Sequence, residues 1–98
     1  MLALPAIVKV PKVITAASYT VASQDHGYTL VCSGSCVVSV PPMFNGFTCK
    51  VIRGGSGAVS FTGNVLSSQG YRRISGQYNE ACIDVAGGLI YLTGKLTR

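Results

Sequence analysis

Phe47-Thr48-Cys49-Lys50-Val51-Ile52-Arg53-Gly54-Gly55-Ser56-Gly57-Ala58-Val59-Ser60-Phe61-Thr62 carries the pattern that decides the fold. Phe47, Cys49 and Val51 fall on one side of an extended chain, and Thr48 and Lys50 on the other. Val59 and Phe61 alternate with Ser60 and Thr62 in the same way. Successive strand side chains point to opposite faces, so a period of two marks a half-buried strand. Gly54-Gly55-Ser56-Gly57 lacks the Lys-Ser/Thr pair and the following helix of a phosphate loop, and reads as a strand connector.

Outward from this segment, short strand candidates recur at 18–22, 28–33, 36–40, 71–76, 81–86 and 89–96, besides 47–53 and 58–62. Turn-forming residues separate them, among them Gln24-Asp25-His26-Gly27, Pro41-Pro42-Met43-Phe44-Asn45-Gly46 and Gln77-Tyr78-Asn79-Glu80. Gly87-Gly88 between two strands is a hairpin signal. Ser33-Gly34-Ser35, between Cys32 and Cys36, reads as a three-residue hairpin loop that sets the two cysteines opposite each other. Helix formers are scarce, and neither an internal repeat nor a low-complexity tail is present. The expectation is an all-β domain, an antiparallel β-sandwich of jelly-roll type with about seven to eight strands.

Residues 1–16 differ. Pro5 and Pro11 stand in an apolar, β-branched context, and proline is confined to sheet edges and extended segments. This stretch reads as an extended arm before a domain at 17–98. Its apolar residues Ile7, Val8, Val10, Val13 and Ile14 are expected to pack on a neighbouring subunit, and removal of 2–13 to leave the domain folded. The start also lacks the basic region of a signal peptide, and no stretch approaches the ~18 apolar residues of a membrane span. A soluble protein made in the cytosol, without membrane contact, is expected.

The chain has 98 residues, of which 11% are charged, against about 25% in ordinary domains. A surface that poor in charge suits contact with other protein. The net charge is +5, but the basic residues are spread out with no run longer than two. A nucleic-acid binder concentrates them in a stripe, so nucleic acid is not the expected partner.

Candidate chemistry is sparse. His26 is the single histidine, in a turn beside Asp25, where neighbouring side chains point apart. Asp25, Glu80 and Asp84 are the only acids, and nothing makes two of them converge as a glycosidase requires. Cys32 and Cys36 form one close pair, but Cys49 and Cys82 do not form the second that structural zinc prefers. The cysteines read as free thiols acting as small apolar residues. No catalytic residue, metal or cofactor is expected. Tyr71, Arg72, Arg73 and Tyr78 form the most aromatic and basic local patch, a composition favoured at protein interfaces.

Several features occur in an order that resembles a β-sandwich module of tailed-bacteriophage virions, found in capsid decoration (cement) proteins and in tail-fibre or tail-tip proteins. They are Ser18-Tyr19-Thr20-Val21, Ser39-Val40-Pro41-Pro42, Val51 through Phe61 with its Gly-Ser-Gly, Ile74-Ser75-Gly76-Gln77-Tyr78, Ile83-Asp84-Val85 and Ile90-Tyr91-Leu92-Thr93-Gly94-Lys95-Leu96. The likeness spans about four-fifths of the chain, and the four cysteines and the apolar arm depart from it. It implies a sandwich, frequent homotrimers and no enzyme activity. The arm turns the expectation towards a decoration protein on the capsid exterior, with the major capsid protein and its own copies as partners. A receptor-binding tail module and a basic nucleic-acid-binding barrel are the alternatives.

Overall fold

The computed structural model describes residues 10–98, and Ile7 and Val8 of the expected arm lie outside that range. Eleven strands run through it: β1 Lys12–Ile14, β2 Ser18–Thr20, β3 Thr29–Cys32, β4 Cys36–Val40, β5 Thr48–Arg53, β6 Val59–Gly63, β7 Val65–Ser67, β8 Arg73–Ile74, β9 Glu80–Ala86, β10 Leu89–Gly94 and β11 Leu96–Thr97. The described residues contain no α-helix.

The all-β expectation holds, but the antiparallel jelly-roll sandwich does not. The strands form two mixed sheets, ordered β1-β3-β5-β9-β10-β7 and β11-β8-β6-β4-β2. Successive strands from β1 to β6 alternate between the two sheets, and in each the pairing is parallel. The chain therefore coils as a short solenoid. On the first wall Lys12 faces Leu30 and Leu30 faces Val51, so one circuit takes 18 and then 21 residues. On the second wall Ser18 faces Val37 and Val37 faces Ser60, giving 19 and then 23.

The corners explain why Ser33-Gly34-Ser35 is not a hairpin loop. Backbone pairing continues from each corner to the one stacked on it: Ser33 N–H donates to Ile14 O (3.1 Å), Gly54 N–H to Cys32 O (2.8 Å), and Cys36 N–H to Ala58 O (2.9 Å). Segment 33–35 thus turns the chain from one wall to the other, and Cys32 and Cys36 end up in different sheets. The glycines of 54–57 make the stacking possible. A Cβ on Gly55 would lie 2.2 Å from Ser33 O, and one on Gly57 2.3 Å from the Ser35 nitrogen.

After β6 the coil stops. The seat beside β5 is taken by β9, antiparallel, and the expected β9–β10 hairpin through Gly87-Gly88 is present. β7 pairs parallel to the far side of β10, while β8 and β11 run antiparallel on the second wall. Reversing direction in this way ends the stacked rungs at the C-terminal side, a role that terminal units serve in repeat proteins.

Inward residues of both walls share one core. Leu30, Val51, Ile83 and Leu92 from the first meet Val38, Val59, Phe61 and Ile74 from the second, all at most 2% exposed. Ile14 of β1 belongs to this core at 8%. The segment expected as an arm thus enters the sheet at residues 12–14, and a cut at 13 removes part of the folded unit.

Candidate functional site

The first rung of the solenoid exposes the end of the core, and a polar cluster fills it. Lys12 shares the inward row of Leu30 and Val51, and Tyr19 that of Val38 and Phe61. Between them the 3-10 turn Ser23–Asp25 places Asp25, 1% exposed. Its carboxylate accepts Lys12 Nζ (2.6 Å), the Tyr19 hydroxyl (2.8 and 2.9 Å) and the Ala22 amide (2.9 Å). Lys12 Nζ also lies 4.4 Å from the centre of the Tyr28 ring, a cation–π contact.

Burial alone would raise the Asp25 carboxyl. Lys12, the Ala22 amide and the Tyr19 hydroxyl more than offset it and hold the group below its ordinary value. Lys12 is raised, chiefly by its hydrogen bond to Asp25. Burial, with help from Asp25, pushes the Tyr19 hydroxyl up to about 12. The cluster thus holds one charge pair and closes the apolar core without covering the strand edges. β1 and β2 are the outermost strands of their sheets at this end, so among the described residues their outer backbone edges pair with no strand. Val10 and Val13 are exposed beside them, at 78% and 63%.

The other predicted site residues disperse. Ile14 is a core residue, a correction to its place among the contact candidates. Arg72 donates to Gly63 O (3.1 Å) and Val65 O (3.4 Å), stapling the β6–β7 corner. Arg73 is exposed on β8, opposite Ser60 and Thr97. Tyr71 is half-buried, and its carbonyl accepts the Ser67 hydroxyl (2.5 Å). Tyr78 lies apart from these, in the turn before β9, and is 75% exposed. Much of the positive charge is already engaged: Lys12 by Asp25, Lys50 by Glu80 (3.6 Å), and Arg53 by Ser56 O (2.7 Å) and Ile74 O (3.4 Å).

Asp25 and His26 face different partners, as expected. His26 Nδ1 accepts the Thr48 amide (3.1 Å), and its ring packs against Phe44 and Phe47. The four cysteines are free, with Cys32, Cys36 and Cys49 buried and Cys82 half-buried. Burial pushes the Cys32 and Cys49 thiols up to about 12, with the neighbouring Cys36 thiol adding to the shift at Cys32. Such thiols are poor nucleophiles at neutral pH. Among the described residues no group of three His, Cys, Asp or Glu side chains is placed to hold a metal ion.

Among the described residues three grooves open on the surface, the smallest along Ser68, Gln69, Tyr71 and Leu92. One, of about 460 Å³, runs along Pro41, Pro42, Met43 and Leu89. A second is shallower and more open, about 650 Å³, and is bordered by Tyr78, Asn79, Glu80, Gly94 and Lys95. The unpaired β1–β2 end was hidden from sequence reading because it depends on parallel pairing. Its one legible sign was the apolar stretch leading into it.

No family model, curated protein or solved structure matches the chain.

Proposed function

We propose that this chain is a non-enzymatic structural protein of a virus particle, a decoration protein that attaches to the capsid exterior and stabilises the shell. The observation that supports this reading is the β1–β2 end of the solenoid, whose outer edges pair with no strand among the described residues. Two adjacent open strand edges, flanked by exposed Val10 and Val13, are a template for adding strands or backbone contacts from another chain. Exposed edges of this kind promote uncontrolled association in a free monomer, and soluble proteins usually blunt them. In a symmetric assembly they are covered. The low charge of the chain and the resemblance of its motif order to phage virion modules support the same reading. The partners are the major capsid protein and further copies of the chain, a homotrimer being the form that the resemblance implies.

Attachment through this end separates two deletions. Loss of residues 2–9 leaves β1 and Lys12 in place, and should keep the melting temperature while weakening cosedimentation with empty capsids of the encoding virus. Loss of 2–13 also takes Lys12 from the buried Asp25, and should lower the melting temperature. Unchanged capsid binding by the shorter deletion and by a Val13→Lys variant would remove the basis for the proposal.

A further inference from the structure

Tyr78 sits in the third position of the turn Gly76–Asn79, closed by the Asn79 amide on Gly76 O (3.1 Å), with φ at +69°. That position ordinarily falls to Gly or Asn, because a Cβ there crowds the neighbouring carbonyl. A tyrosine in such a place is usually explained by what its ring packs against. Here the residue is 75% exposed, and its hydroxyl bonds to no group among the described residues. The strained backbone is tied to β5 by the Tyr78 and Asn79 main chain, but the side chain adds no packing to the fold, and strain of this kind concentrates at binding sites.

The mount is rigid. Tyr78 N–H donates to Arg53 O (2.6 Å), and the Arg53 guanidinium is held in turn by Ser56 O and Ile74 O. The ring borders the open groove, whose other members are Asn79, Glu80, Gly94 and Lys95. Gly94 lets β10 approach β9 closely at this edge, since a Cβ there would lie 2.5 Å from Glu80 O. The Asn79 amide nitrogen is engaged with Ser75 Oγ (3.0 Å), which leaves its carbonyl oxygen as an acceptor. An exposed aromatic face thus stands beside the Lys95 ammonium and the oxygens of Asn79 and Glu80, the latter already balanced by Lys50 at 3.6 Å.

We propose that this turn and groove form a carbohydrate-binding site for a neutral hexopyranose unit of an oligosaccharide. The apolar C–H face of the sugar stacks on Tyr78, and its hydroxyls meet Lys95, Glu80 and the Asn79 carbonyl. A protein-binding anchor would be ringed by groups that exclude water, and these are polar and open. A polyanion is held by several cations together, and among the described residues Lys95 is the one basic residue lining this groove. The site goes beyond attachment to a shell and stands independently of it, on a different part of the molecule.

The test is saturation-transfer NMR of the full chain with a panel of neutral hexose and N-acetylhexosamine di- to tetrasaccharides, alongside a sulfated polysaccharide. Transfer to the C–H protons of one sugar ring is expected, lost with an affinity drop of about tenfold or more in Tyr78→Ala and kept in Tyr78→Trp. Tyr78→Gly should lose binding yet melt at a higher temperature than the wild type, because glycine relieves the backbone. A purely structural tyrosine would give the opposite sign. No transfer from any neutral sugar, binding to the sulfated polymer alone, unaltered binding in Tyr78→Ala, or a lower melting temperature in Tyr78→Gly would each overturn the proposal.

Discussion

Replacing Asp25 with alanine should open the N-terminal end of the solenoid. The carboxylate is 1% exposed and accepts three donors. Its loss leaves the half-buried Tyr19 hydroxyl and Ala22 amide without their acceptor, each at about 1 kcal/mol or somewhat more. The half-exposed Lys12 ammonium can return to water, so its share is small. A total of about 2–4 kcal/mol follows, a large part of the ~5–15 kcal/mol that a domain this size possesses. In thermal terms that is a fall of roughly 10–25 °C. Asp25→Asn keeps the shape and one acceptor, and should cost less. Urea unfolding followed by far-ultraviolet circular dichroism measures both, and an unchanged m-value keeps the comparison two-state. Tyr19→Phe combined with Asp25→Ala should cost less than the sum of the two, because they share one interaction. A cost below about 0.5 kcal/mol for Asp25→Ala, or strict additivity with Tyr19→Phe, would refute the role given to the cluster.

The same carboxylate sets a pH dependence. Its folded value is lowered from 3.8, so its contribution is complete above that value and is lost as pH falls through the depressed range. Acid unfolding below about pH 4 should be shallower in Asp25→Asn than in the wild type. Gly57→Ala, whose Cβ would meet the Ser35 nitrogen at 2.3 Å, should destabilise by about 1–3 kcal/mol in a urea titration, while Gly34→Ala, with open space around it, should cost far less. Thiol titration of the native protein should find only Cys82 reacting promptly, with four thiols appearing in denaturant; prompt reaction of Cys32 or Cys49 would contradict the buried corner.

Strand positions were legible because alternation is a local property. Thr48–Arg53 and Cys36–Val40 fall where their side-chain pattern places them. Pairing was not legible, because it depends on register between segments that share no sequence. Tyr19, Val38 and Phe61 occupy equivalent inward sites on successive rungs, yet they are three different residues at unequal intervals. Val65–Ser67 escaped notice because a three-residue strand between Asn64 and a 3-10 turn shows too little alternation. Lys12 falls in the expected arm and Asp25 in a turn, and nothing in a 13-residue separation says that they meet. Tyr78 was singled out, but its neighbours in sequence, Arg72 and Arg73, are not its neighbours in the groove.

Electron cryomicroscopy of empty capsids incubated with the protein tests the proposed attachment most directly. Density at symmetry-related positions on the outer shell is expected, with the β1–β2 end against the capsid and the β9–β10 hairpin away from it. Bare capsids, or a protein seated through the β9–β10 end with β1 and β2 open to solvent, would contradict it.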